Sequence, residues 1–244
     1  MLYLDKQVHR MARKDVQRKN HLLTALPLKE RTALFHRYER VDLELGHILA
    51  KAGRPMSSAY FPESGMISLV QTLEDGAAIE VGLVGSEGFL GVPLIHGTRS
   101  SQVEAMVQGA GVALRIPANA LILEAARSDK LRALLLRYAQ AMFAQVVQTA
   151  ACNGRHALQQ RLARWLLEAQ DRIGGEKLPL SHELIGYMLG CRRSGVTIAL
   201  GALKATGVLN TGRNDIRIVD RKGLERAACE CYRTVQSEFR RLLP

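Results

Sequence analysis

The sequence contains no run of about 18 uninterrupted apolar residues, the length a helix needs to cross a bilayer. Its first twenty residues, MLYLDKQVHRMARKDVQRKN, lack the apolar core of a secretory leader, so the cytoplasm is the expected compartment. Cysteine is scarce: Cys152, Cys191, Cys229 and Cys231 form no C-x-x-C and no paired-loop framework. Without an export signal they read as free thiols, and no metal site is expected from them. Cys229 and Cys231 lie two apart on an expected helix, a spacing that points them to different faces. No H-x-H pair, G-x-S-x-G or P-loop occurs, which argues against a metal-dependent β-roll enzyme, a nucleophile-elbow hydrolase and a P-loop NTPase. An enzyme is therefore not expected. Internal repeats and low-complexity linkers are missing as well.

What is present is a basic, globular composition. Hydrophobic residues make up 47% of 244, enough for one large or two ordinary domains with real cores. Net charge is +11, and it is unevenly spread. Residues 155–222 hold 12 basic and 6 acidic side chains, whereas residues 40–115 hold 5 basic and 8 acidic. The C-terminal part is thus the candidate for a phosphate backbone, and the middle is not. A further basic segment, with six Lys/Arg and two acidic residues through Lys19, opens the chain.

Periodicity divides the chain in three. After a helical lead-in, residues 41–117 are punctuated by glycine and carry short β-rich runs at 66–73, 78–83, 103–108 and 112–116. Glu74-Asp75-Gly76 between two of these runs is a hairpin signal, because glycine accepts the positive φ such turns demand. Many short strands at even spacing predict a small barrel or roll. Residues 130–151 contain neither glycine nor proline, which allows one helix of about 22 residues, roughly 33 Å long. Its apolar positions cover more than one stripe, so it needs cover on two sides. One side would pack on the β-domain. The other would pair with a second copy through Leu131, Leu135, Tyr138 and Met142, at alternating four- and three-residue spacing. Burial of the whole helix within one chain is the competing expectation.

The most informative segment is LSHELIGYMLGCRRSGVTIALGALKAT, residues 180–206. A first amphipathic run ends at Gly190, and a second resumes on a new face with Val196, Leu200 and Leu203. Arg192 and Arg193 open the second run, as in a helix-turn-helix whose second helix puts its N-terminal residues against base edges. Strand-like residues 208–209 and 216–219 flank Thr211-Gly212-Arg213-Asn214, a two-stranded wing with a basic tip, and a closing helix is expected over 222–242. Double-stranded DNA is the expected partner.

Taken in this order, glycine-punctuated β-domain, long helix, helix pair and wing resemble the Crp/Fnr family of bacterial transcription regulators. The strongest part is similar to the family's I-G-x-x-x-G-x-x-R-x-x-V pattern through Ile185-Gly186, Gly190, Arg193 and Val196. The resemblance implies an α+β chain. A cyclic-nucleotide-binding-like jelly roll (21–126) would be followed by a dimerisation helix (127–152) and a winged helix-turn-helix (153–244). It implies a homodimer on a pseudo-palindromic operator and a contact with RNA polymerase. Arg193 falls where the family places its base-reading arginine, with Arg192, Ser194 and Thr197 as neighbouring contacts. Lys204, Arg213 and Arg217 are expected on the phosphate backbone. Ser194 and Ile198 depart from the best-known pattern, so the operator should differ from that of the cyclic-AMP receptor.

At the ligand end the resemblance points to Gly91, Val92, Arg99 and Ser100. Val92 stands where a ribose-binding glutamate is wanted, and Arg99-Ser100 falls about two residues early. An apolar side chain cannot accept hydrogen bonds from ribose hydroxyls. Cyclic AMP is therefore not the expected ligand, and no cofactor is expected. The family's oxygen sensors use an N-terminal cysteine cluster, whereas this chain has no cysteine before Cys152.

Overall fold

The protein is described from a computed structural model covering residues 20–212 and 214–244. The basic segment through Lys19 and Arg213 at the wing tip lie outside the described residues. Two short helices, α1 (His21–Ala25) and α2 (Leu28–Phe35), lead into the β-domain. Asn20 both caps and anchors α1. Its Oδ1 accepts from Leu23 N at 3.2 Å, and its side-chain amide donates to the carbonyls of Pro62 and Gly88 at 3.0 and 2.7 Å.

Five antiparallel strands follow: β1 (Glu39–Leu43), β2 (Ile48–Ala50), β3 (Ser58–Thr72), β4 (Ala78–Val84) and β5 (Glu104–Pro117). They run in the order β1-β5-β3-β4, with β2 also paired to β5. The expected hairpin at Glu74-Asp75-Gly76 is present; Leu73 N donates to Ala77 O at 2.7 Å and Gly76 has φ +81°. The two strands expected at 103–108 and 112–116 are one continuous strand. Gly109 and Gly111 bend it instead of ending it: a Cβ at Gly111 would sit 2.3 Å from the Ser64 carbonyl oxygen, and the β3–β5 register shifts around Ser64 and Met66. Glycine here permits close backbone passage at a bulge.

Strand β3 is buried on both faces along its middle. Phe61 and Ile67 belong to the core of the roll, whereas Met66 and Val70 join a second core shared with the C-terminal domain. Helices α3 (Val92–Ile95) and α4 (Ala118–Arg127) close the roll. A row of aromatic rings binds the layers: Tyr38–Phe61 (tilted), Phe61–Phe89 (stacked), Phe89–Tyr138 (tilted) and Tyr138–Phe239 (edge-on), with centroids 6.2, 5.2, 5.2 and 6.2 Å apart.

The long helix α5 (Asp129–Arg155) has 27 residues. Ser128 caps it by accepting from Leu131 N at 3.2 Å, with Asp129 in the first turn complementing the helix dipole. It runs through Gly154 and stops at His156, whose backbone is extended (φ −99°, ψ 145°). No helix among the described residues is long and apolar enough to cross a membrane.

The C-terminal domain comprises α6 (Leu158–Ile173), β6 (Lys177–Leu178), α7 (His182–Leu189), α8 (Arg193–Ala205), β7 (Leu209–Thr211), β8 (Ile216–Ile218), α9 (Arg221–Ala227) and α10 (Cys231–Leu242). The wing gains a third strand, in the order β6-β8-β7. The single closing helix expected from the sequence is two helices, because Ala228 is extended (φ −75°, ψ 158°). That break overturns the expectation that Cys229 and Cys231 face apart: Cys229, Cys231 and Cys152 form one buried cluster.

Helix α5 also corrects the expected pairing face. Leu131, Leu135, Tyr138 and Met142 are 1%, 0%, 0% and 6% exposed, packed in the core of the roll. Their spacing is that of a seam, but the partner is the chain's own β-domain. The large apolar residues it leaves on the surface are Leu136, Phe143 and Val147, at 42%, 62% and 50% exposure.

Candidate nucleic-acid interface

Helix α7 begins at Ser181, whose Oγ accepts from Leu184 N at 3.2 Å, and ends at Gly190 in the left-handed region (φ 60°, ψ 42°). Cys191 N then donates to Gly186 O at 2.9 Å. A Cβ on Gly186 would lie 2.8 Å from the Cys191 carbonyl oxygen, so only glycine lets the turn fold this tightly onto the helix. The two helices lock together through Ile185, Met188, Leu189, Val196, Leu200 and Leu203, all buried in the second core.

The turn delivers α8 with one face in the core and one in solvent. Arg192 is the N-cap and Arg193 the first helical residue; Arg192, Arg193, Ser194, Thr197, Ile198, Gly201 and Lys204 are exposed along a single stripe. There is no acidic residue in the first turn. Two arginines at a helix N-terminus oppose the macrodipole, worth about 0.3–1 kcal/mol per charge. The backbone and the side chains therefore present positive charge at the same tip, an arrangement suited to an anion. Arg192, Arg193 and Lys204 have no carboxylate partner among the described residues.

Thr197 is held rather than free. Its Oγ1 donates to Arg193 O at 3.1 Å and lies 3.0 Å from His182 Nδ1 on α7. The hydroxyl thus ties the two helices across the exposed face, a link the sequence did not disclose. Ile198, at 74% exposure the most exposed large hydrophobic among the described residues, shares the stripe. Arg217 on β8 is exposed but pairs with Glu176, Nη2 to Oε2 at 2.8 Å. An exposed pair of this kind holds by about 0–1 kcal/mol and yields readily to a phosphate.

The roll encloses a separate cavity of about 170 Å³. Its wall is almost wholly apolar, with Lys51 and Ser101 the polar contributors. Of the four expected ligand residues, Gly91 and Val92 line it. Arg99 instead hydrogen-bonds Asn119, and Ser101, not Ser100, reaches the wall. The volume is below the roughly 300 Å³ typical of small-molecule pockets. Met142 of the long helix also borders the cavity, so its contents touch the element that links the two domains.

Two family models match the chain: a cyclic nucleotide-binding domain over residues 40–127 and a Crp-like helix-turn-helix domain over residues 160–227. Together they cover more than half of the sequence. No curated protein matches by sequence. Among solved structures, a transcriptional regulator of the Crp/Fnr family from Eubacterium rectale is similar with a TM-score of 0.67 at 19% identity, covering 84% of this chain and 96% of that one. A CRP/FNR-family regulator from Thermus thermophilus gives 0.65 at 24% identity, over 78% and 98% of the two chains. The c-di-GMP responsive global regulator CLP of Xanthomonas campestris gives 0.65 at 15%, over 79% and 99%. At these identities the structures speak for the fold alone, and it is the two matched domains, in this order and joined by a long helix, that carry the assignment. The chain belongs to the Crp/Fnr family of transcription regulators.

Proposed function

We propose that the protein binds operator DNA sequence-specifically as a homodimer in the cytoplasm, with RNA polymerase as a further partner implied by the family. The observation that carries the reading is the exposed stripe of α8, opened by two arginines without a carboxylate partner among the described residues, on a helix whose opposite face is core. Arg193 donates two hydrogen bonds to O6 and N7 of a guanine, worth about 1–3 kcal/mol of discrimination. Arg192 and Ser194 flank it, and Ile198 meets a thymine methyl. Thr197, tied to His182, fixes the angle between the helices as well as facing the groove. Lys204, Arg213 and Arg217 take phosphate oxygens, positioning the protein without reading sequence.

The second copy pairs along the face of α5 that its own chain leaves bare. Leu136, Gln140, Phe143, Val147, Ala150 and Gly154 are exposed and succeed one another at alternating four- and three-residue intervals, the period of a two-stranded seam. The sensor roll lacks a polar set for a cyclic nucleotide; its apolar cavity suits a small apolar effector or none.

Gel-shift assays on an operator selected from genomic fragments test this. Arg193→Ala is expected to lower specific binding by about 5- to 150-fold, the equivalent of 1–3 kcal/mol, while leaving non-specific binding intact. Equal operator affinity in variant and wild type would remove Arg193 from the interface. Binding competed equally by any duplex would instead indicate a sensing module without specific recognition.

A further inference from the structure

Cys152, His156, Cys229 and Cys231 bring one ligand atom each to within 4.8 Å of one another. We propose that these four residues form a mononuclear, tetrahedral Cys3His site for a zinc-class divalent ion. The site staples the end of the long helix α5 to the start of the C-terminal helix α10.

The donors come from both sides of a helix break. Cys152 sits in the last turn of α5 and His156 is the residue that ends it. Cys229 lies in the interruption between α9 and α10, and Cys231 opens α10. Cys152 and Cys229 Sγ atoms are 3.5 Å apart, and Cys231 Sγ is 3.5 Å from His156 Nδ1. Ligands at about 2.3 Å (sulfur) and 2.0–2.1 Å (nitrogen) from one tetrahedral ion stand about 3.5–3.8 Å from each other. The two 3.5 Å separations match a single-ion cage, and a set whose four atoms all lie within 4.8 Å of one another is too tight for a cluster of several irons. Three soft sulfurs with one imidazole favour zinc over magnesium, calcium or manganese.

The outer contacts match as well. His156 turns Nδ1 inward and offers Nε2 to Glu230 Oε1 at 3.2 Å, the carboxylate–imidazole pairing that orients metal-bound histidines. Gln148 Nε2 donates to Cys231 Sγ at 3.0 Å, a bond that strengthens when the sulfur is a thiolate. Loading displaces three thiol protons to solvent and leaves a net charge of −1 on the site, offset by the guanidinium groups of Arg161 and Arg164 that interact with Cys152. Cys191 belongs to the helix-turn-helix and takes no part.

Because His156 is also the joint between α5 and the reading domain, occupancy fixes how α6 leaves the long helix. The consequence for DNA rests on the function proposed above; the metal site does not. Full-length protein, stripped with chelator under reducing conditions, is titrated with Co(II) and then Zn(II). One equivalent per chain is expected, with the intense visible bands of tetrahedral cobalt, thiolate charge transfer in the near ultraviolet, and displacement of cobalt by zinc. Cys191→Ser should leave the spectrum unchanged. Glu230→Gln, an exposed change that keeps the fold, should weaken binding by about 10- to 100-fold with all four ligands in place. Weak octahedral bands, no stoichiometric binding, undiminished loading in a Cys152→Ser/Cys231→Ser variant, or iron with acid-labile sulfide in anaerobically purified protein would each overturn the site. Operator binding measured on the same samples reads the other proposal separately.

Discussion

The indole Nε1 of Trp165 donates to Glu80 Oε1 across 2.8 Å, joining helix α6 of the DNA-binding domain to strand β4 of the sensor roll. Glu80 is buried, with Ser68 Oγ 2.6 Å from its other oxygen and the buried Arg164–Glu168 pair beside it. Burial pushes its carboxyl up to about 8 from 4.5, against the pull of the hydrogen bonds from Ser68 and Trp165. A proton is thereby stored at the junction between sensing and reading.

That storage gives stability a direction in pH. The folded chain keeps a proton that the unfolded chain releases above about 4.5, so the contribution is complete below that pH and is lost as pH rises through about 8. Melting temperatures of wild type and Glu80→Gln, compared between pH 5 and 9, should diverge, the wild type falling relative to the variant with rising pH. Parallel curves would mean that Glu80 is ionised at neutral pH.

On helix α5 the two faces make opposite predictions. Phe143→Asp, at an exposed position, should convert dimer to monomer in sedimentation equilibrium with little loss of monomer stability. Leu135→Ala, in the core, should destabilise each chain by about 2–5 kcal/mol while the dimer persists. Dissociation by Leu135→Ala alone would restore the face first expected from the sequence.

Gly186→Ala places a methyl group 2.8 Å from the backbone oxygen of Cys191, which can give way only if the turn itself shifts. The turn must open, at a cost of about 1–3 kcal/mol, and α8 must tilt. Chemical denaturation and operator binding should both report the change, whereas Gly201→Ala, with open space around it, should leave folding unaffected.

Lys204→Ala removes a phosphate contact and no base contact. Affinity should fall alike for operator and unrelated duplex, and the slope of log affinity against log salt should decrease by about 1. A loss confined to the operator would place Lys204 among the base-reading residues.

The helix-turn-helix was legible because Gly190, the arginine pair and the two apolar periods are local signals that the fold preserves. The β-domain was legible as a roll, but its strand boundaries were not: Gly109 and Gly111 look like punctuation, and only the approach of Ser64 shows that they bend one strand. The pairing face of α5 was misassigned for a similar reason. Leu131, Leu135, Tyr138 and Met142 carry the better seam period, and spacing cannot tell a partner's surface from the chain's own sheet. Cys152, His156, Cys229 and Cys231 were invisible as a group, since 77 residues separate Cys152 from Cys229 and no glycine or proline marks the break at Ala228.

The central claim is that two copies of α8 are held in register by one shared rod. Hydroxyl-radical footprinting of the full-length protein on its selected operator tests it most directly. Protection is predicted in two patches on one face of the duplex, centred about 10–10.5 base pairs apart and related by a dyad. A single protected patch, or cleavage unaltered at every salt concentration, would contradict it.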